Sequence, residues 1–242
     1  MNDTQVEHRN RPRDPDKWIQ RSIEKYRKDS KYVLPFRPSP AFFDLADPVV
    51  LSRRTRLGYD RLYVFWQAIQ NVIDIPGAVV EVGTYRGGSA YFIAKAFVAL
   101  TGAEVPFSVF DTFTGHPGAA ISEHDPFQEP GQFDDTSYDD VREYLSPFAR
   151  LEVHAGDVLT QLPGLQESAY RLVHLDTDLY RPTKACLDYF GARLSAGGVL
   201  VVDDYASQKC PGVRDAVFEY LETTDRLQAW DMRTEQLVLL RR

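Results

Sequence analysis

Residues 78–90, AVVEVGTYRGGSA, constrain this chain more than any other stretch. A short apolar run reads as a buried strand, Glu81 sits near its end, and a glycine-rich turn opens onto a helix. Gly83 permits a sharp turn, while Gly87 and Gly88 carry no side chain where a ligand would approach the backbone. A helix beginning near Gly88 would aim unpaired N–H groups at an anion such as a carboxylate or phosphate. Strand, turn and helix in this order make a nucleotide-type site.

The spacing narrows the ligand. Thr84, Tyr85 and Arg86 separate Gly83 from Gly87, which departs from the G-x-G-x-x-G of dinucleotide-binding folds and speaks against a nicotinamide dehydrogenase. A carboxylate ahead of an anion-binding turn suits a ligand carrying both an ammonium and a carboxylate, as in the methionine part of S-adenosylmethionine. The motif resembles the first signature of class I methyltransferases. On that resemblance Glu81, Gly83, Tyr85, Arg86, Gly87, Gly88 and Ser89 form a cofactor loop; an ordinary tight strand-to-helix turn is the alternative.

The chain has 242 residues, 43% of them hydrophobic, enough to bury the core of one α/β domain. We place that domain at 56–242, behind an N-terminal extension and connector at 1–55. A formal net charge of -7 and a pI near 5.3 oppose nucleic-acid binding. The basic residues within 9–31 are interspersed with acids and read as a solvated face. The first residues contain no apolar core of the kind a secretory signal needs, and no stretch reaches membrane-spanning length. A cytoplasmic protein without a membrane partner is expected. Cys186 and Cys210 form no C-x-x-C pair, so neither a zinc site nor a disulfide framework is indicated, and both read as packing residues.

Pro12 and Pro15 interrupt the polar start, for which we expect mobility or ordering by a partner subunit; a homo-oligomer is the expected assembly. Residues 32–40 read as an extended connector, and 41–51 as a short helix or loop. In 56–73, Leu62, Phe65, Ile69 and Val72 recur at helical spacing. After the glycine turn come a helix at 89–100 and a strand at 106–111 ending in Asp111, which should meet the turn and bind ribose hydroxyls. Residues 112–135 are long, Pro/Gly-rich and acidic, and read as a lid over the acceptor. Ser137, with Asp140 three residues on, suggests a capped helix through Leu145. A strand at 150–154 ends near Asp157, which either receives the adenine amino group or simply caps the next helix. Strands follow at 170–176 and 198–203, helices at 182–194 and 213–223, and a terminal hairpin at 227–232 and 236–240. The sum is a mostly parallel seven-stranded sheet with helices on both faces.

Two strands end in paired acids, HLDTDLY at 174–180 and VVDDY at 201–205. In the class I methyltransferase sheet, strand four lies between strands one and five, with neighbours about 4.8 Å apart. Asp176, Asp203 and Asp204 can then converge at the cofactor crevice, where three unshielded carboxylates repel unless a proton or cation is shared. An oxygen-only cluster suits Mg²⁺. Alternation places Asp178 on the same face as Asp176 if the strand stays extended, which makes it the candidate general base. His174 reads as a buried strand residue, with orientation of a carboxylate as the minority alternative.

In order, EVGTYRGGSA, FDTFTGHPG, GQFDDTSYDDV, HLDTDLYRPT and VVDDY followed by GVRDAVFEY resemble the macrocin O-methyltransferase family, over residues 56–220. The resemblance implies methylation of a sugar hydroxyl on a natural product, using S-adenosylmethionine and a divalent metal at Asp176, Asp203 and Asp204, with Asp178 as base. Catechol O-methyltransferases have a similar acid pattern, but Leu179 stands here in place of their lysine. His116, where the family more often has an apolar residue, and Ala206, where glycine is common, are departures. A phenol methyltransferase and a catalytically silent protein of the same fold are the rival readings.

Overall fold

A computed structural model of the chain describes residues 40–165 and 169–242. The polar start, residues 32–39 of the connector, and residues 166–168 lie outside the described residues. Asp44–Arg242 forms one compact unit. Residues 41–51, expected as helix or loop, belong to α1 (Pro40–Leu51).

Seven strands, β1 (Ala78–Val82), β2 (Phe107–Asp111), β3 (Leu151–Ala155), β4 (Tyr170–Leu175), β5 (Leu194–Val202), β6 (Leu227–Asp231) and β7 (Leu237–Arg241), form one sheet ordered β3-β2-β1-β4-β5-β7-β6. All neighbours pair in parallel except β7, which is antiparallel to both β5 and β6. This is the expected sheet with its closing hairpin. Strand β1 is buried along its whole length, as a parallel strand covered on both faces must be. Ala78, Val80 and Val82 join Val173 and Leu175 in a core with α6 (Tyr180–Cys186), its π-helical continuation Leu187–Gly191, and α7 (Pro211–Glu222). The alternate residues of β1 and β4 face the opposite way. There Phe65 of α2 (Tyr59–Val72) packs edge-on against His174 at 4.5 Å.

Two strand limits and one helix cap depart from expectation. Strand β5 begins at Leu194 rather than 198, because Gly197, at φ +78, lets the chain bulge between the Tyr170–Leu194 and Leu172–Val199 pairs. Strand β4 stops at Leu175, before both of its acids. Ser137 precedes α4 (Tyr138–Leu145) with extended backbone but makes no side-chain cap; Asp140 pairs with Arg54 instead.

The last hydrogen bonds of the ladder level the strand ends. The amide of Gly83 donates to Phe110 O, that of Asp176 to Val82 O, and that of Asp203 to Leu175 O, each at 2.8 Å. Gly83 is glycine because the chains touch there. A Cβ at Gly83 would lie 1.8 Å from the carbonyl oxygen of Asp176, and its φ is +88. Gly83→Ala should therefore cost about 2–6 kcal/mol, overpacking and left-handed strain together. Gly102→Ala, at φ +73 with nothing within 4 Å, pays the strain alone. Urea unfolding of both variants checks this; equal losses would contradict the close-approach account.

Candidate active site

The acids of β4 and β5 emerge beside one another because the ladder bonds fix Asp176 and Asp203 one residue past their strands. Ligand atoms of His174, Asp176 and Asp203 lie within 4.8 Å of one another, and so do those of Asp178, Asp204 and Cys210. The donors thus form two adjoining groups, with Asp204 grouped beside Asp178. The extended strand assumed for Asp178 is corrected: Asp178 and Asp204 both adopt left-handed backbone, at φ +58 and +54. Such conformations in non-glycine residues store strain and concentrate at functional sites.

Charge crowding shows in the acids. Burial, then Asp203, Asp178 and Asp204, hold the Asp176 carboxyl well above the usual range. Burial, then Asp203 and Asp178, push Asp204 up to about 8. Burial also raises Asp203, against the pull of Arg61. Asp178 goes the other way, because hydrogen bonding from His116, Asp204 and Cys210 outweighs its burial. The two neighbouring carboxyls, Asp204 and Asp178, are thus shifted in opposite directions.

Within their own motifs these acids have no counter-charge, and a distant helix supplies one. Arg61 of α2 places Nη1 2.7 Å from Asp203 Oδ2 and 3.1 Å from Asp204 Oδ1, with Nη2 2.8 Å from Glu235. One guanidinium still faces four acids. Oδ1 of Asp203 is buried without a hydrogen-bond partner among the described residues. Oxygen donors, mutual repulsion and an orphaned carboxylate oxygen fit a hard divalent cation.

The cofactor loop is more heavily engaged with protein than expected. A Cβ at Gly88 would lie 2.5 Å from the Arg54 backbone, and one at Gly87 would meet Val141, Leu145 and Tyr144. Packing against distant parts of the chain therefore also bears on these two glycines. Gly88 N–H donates to Arg54 O, which removes one amide from the expected anion site. Ser89 is buried in the first turn of α3 (Gly88–Thr101). Tyr85 Oη donates to Asp135 at 2.9 Å, and Arg86 Nη2 is 2.7 Å from the same carboxylate. Thr136 Oγ1 donates to Tyr85 O, so the loop is stitched to the end of the 112–135 segment.

Glu81 is fully buried and pairs through Oε1 with His174 Nδ1 at 2.8 Å; Oε2 has no partner among the described residues. Asp111 arrives beside the turn as expected, and accepts the amides of Tyr85 at 2.8 Å and Phe113 at 2.9 Å. Its carboxylate has more lone pairs than these two amides occupy. Burial raises its carboxyl, partly offset by those amides. Asp157 caps α5 (Val158–Gln161) by accepting Leu159 N–H at 2.9 Å, the bland alternative for that residue.

Residues 112–135 contain no helix or strand, yet they are fastened down. Buried Asp125 accepts Tyr180 N–H at 2.8 Å, and Gln128 Nε2 donates to Lys209 O at 2.9 Å. Cys210, read as packing, puts Sγ 3.5 Å from Asp178 Oδ1. Sequence reasoning missed Arg61 altogether, and saw His116 only as a departure. No helix of the described residues is long and apolar enough to cross a membrane.

Comparison with known proteins agrees with this geometry. The sequence profile of macrocin-O-methyltransferase (TylF) matches residues 46–232. A 4'-O-methyltransferase of 8-demethyl-8-(2,3-dimethoxy-alpha-L-rhamnosyl)-tetracenomycin-C from Streptomyces olivaceus is 30% identical over 192 residues, 72% of each chain. The mycinamicin III 3''-O-methyltransferase of Micromonospora griseorubida is 27% identical over 183 residues, 69% of each. Among solved structures, the O-methyltransferase NovP superposes with a TM-score of 0.70 at 25% identity, covering 78% of this chain and 82% of its own. With the class I sheet, the strand-end acids and these relatives together, the chain belongs to the macrocin O-methyltransferase family of S-adenosylmethionine-dependent O-methyltransferases.

Proposed function

We propose that the protein methylates a hydroxyl of a sugar carried on a natural product, with Mg²⁺ held by Asp176, Asp203 and Asp204. The observation that carries the metal is the crowded acid cluster, with its raised carboxyls and orphaned Asp203 Oδ1. The name of a relative that acts on a rhamnosyl-bearing acceptor supports the sugar. S-adenosylmethionine supplies an activated methyl group, and Mg²⁺ would draw the acceptor oxygen in and lower the pKa of its hydroxyl.

The chain's own residues supply alignment and a proton acceptor. Asp111 keeps lone pairs for the ribose, Glu81 Oε2 is the free oxygen for the ammonium, and residues 83–89 border the methionine end. Asp178 stays ionised through its hydrogen bonds and takes the hydroxyl proton as the methyl group moves. The 112–135 segment acts as a lid that keeps water from the acceptor. Sulfonium charge and developing alkoxide charge cancel during transfer, so holding oxygen, carbon and sulfur in line matters more than stabilising an oxyanion. A phenolic acceptor is the second reading, favoured by the ring contacts of Phe133 with Tyr85 and His116.

A panel of rhamnosides and catechols, assayed with S-adenosylmethionine and Mg²⁺, tests the acceptor class. Turnover of rhamnosides alone is expected, and preference for catechols would overturn the sugar reading. Chelation should abolish transfer and added Mg²⁺ should restore it; full activity after exhaustive chelation would exclude the metal.

Metal binding should also depend on pH, with a sign fixed by the raised carboxyls. A cation binds the ionised acids, so below about pH 8 it must displace a proton from the cluster. Mg²⁺ affinity should therefore rise as pH approaches about 8, by about tenfold per unit for each proton released. Calorimetry in buffers of different ionisation enthalpy measures the released proton. Affinity independent of pH across this range would contradict the assignment of Asp176 and Asp204.

A further inference from the structure

His116 comes from the 112–135 segment, yet its ring reaches the acid cluster. Nε2 lies 3.4 Å from Asp178 Oδ2, with both side chains largely buried. The backbone holds it there from both sides: His116 N–H donates to Gln132 O at 3.0 Å, and Gly131 N–H donates to His116 O at 2.9 Å. The preceding Gly115 has φ +74, and a Cβ there would lie 2.5 Å from Gly131, so only glycine lets the two limbs of the segment cross this closely. Phe133 packs edge-on against the imidazole at 5.2 Å. On the far side of the carboxylate, Cys210 Sγ faces Oδ1 at 3.5 Å. The carboxylate plane is therefore gripped between a lid imidazole and a thiol from the start of α7.

We propose that His116 is a positioning residue for Asp178, through which the lid makes the base competent. This rests on the reading of Asp178 as the base. In the reaction an acceptor oxygen lone pair forms the O–CH₃ bond, the S–CH₃ bonding pair stays on sulfur as a neutral thioether, and the hydroxyl proton passes to the Asp178 carboxylate. His116 neither gains nor loses an atom in this step. It holds Oδ2 so that the carboxylate meets the hydroxyl at the correct angle, and misplacement of a reacting group by about 1 Å costs about 100-fold in rate. The acceptor-facing base and the acceptor-covering lid become one unit.

The test separates orientation from packing. His116→Leu keeps apolar bulk against Phe133 and removes the ring nitrogens, whereas His116→Gln retains an N–H donor near the place of Nε2. With the best acceptor of the rhamnoside and catechol panel, His116→Leu should lower the single-turnover rate about 10- to 100-fold. Its Mg²⁺ and S-adenosylhomocysteine dissociation constants should stay within about twofold, and His116→Gln should recover most of the rate. In an Asp178→Asn background, His116→Leu should cost little more. A Leu variant as fast as wild type, a Gln variant as slow as Leu, or losses that add in full would each overturn the proposal. Independently of any acceptor, the ¹⁵N resonance of His116 Nε2 should move on Asp178→Asn and stay put on Asp188→Asn, whose carboxylate instead meets Lys184. An unmoved resonance on Asp178→Asn also overturns it. If Asp178→Asn itself transfers methyl at the wild-type rate, the base reading has failed; if that variant is slow while His116→Leu is normal, only the present inference has.

Discussion

Everything at this site depends on where four parallel strands stop. Main-chain bonds from Gly83 to Phe110, from Asp176 to Val82 and from Asp203 to Leu175 carry the ladder one residue beyond the strands, across β2, β1, β4 and β5. Those bonds convert sequence position into spatial position: the first residue after β4 and the first after β5 are neighbours. A shift of one residue in either register would turn an acid from the crevice to the opposite face. The glycine at 83 belongs to the same constraint, since its missing side chain is what lets β1 end against the Asp176 carbonyl.

Once levelled, the strand ends create an electrostatic problem that the rest of the site answers. Four carboxylates share a largely buried corner, and the raised carboxyls of Asp176, Asp203 and Asp204 record the cost of ionising them together. Arg61 answers in part from α2, the lone guanidinium that touches both Asp203 and Asp204 among the described residues. His116, with Nε2 3.4 Å from Oδ2, and Cys210, with Sγ on Oδ1, answer for Asp178 by favouring its ionised form. The remaining deficit of positive charge is what a divalent cation would fill. Left-handed backbone at Asp178 and Asp204 is the local strain this crowding carries.

The elements were legible because each leaves a local trace. Apolar runs closed by acids marked β1, β2, β4 and β5, helical spacing marked α2, and a short polar break marked the β6–β7 hairpin. The order of motifs supplied the family, and with it the strand order. What was not legible is made by distant partners. Arg61 meets Asp203 across 142 residues of sequence, and nothing in its neighbourhood distinguishes it from a solvated arginine at the head of a helix. The crowding around Gly87 and Gly88 was hidden for the same reason, because the side chains and backbone that press on them come from 54 and from 141–145. The position of Asp178 was inferred from alternation that ends at Leu175, so the proximity of Asp178 to the cluster comes from its turn and not from the strand.

The central claim is that two acids only two residues apart in HLDTDLY have different work, Asp176 holding a cation and Asp178 removing a proton. Single-turnover methyl transfer measured beside Mg²⁺ titration, for Asp176→Asn and Asp178→Asn, tests it most directly. Asp176→Asn should lose metal affinity, whereas Asp178→Asn should bind metal and cofactor nearly as wild type but transfer methyl about 10²–10⁴-fold more slowly. Normal turnover by Asp178→Asn, or a loss of metal equal to that of Asp176→Asn, would contradict the account.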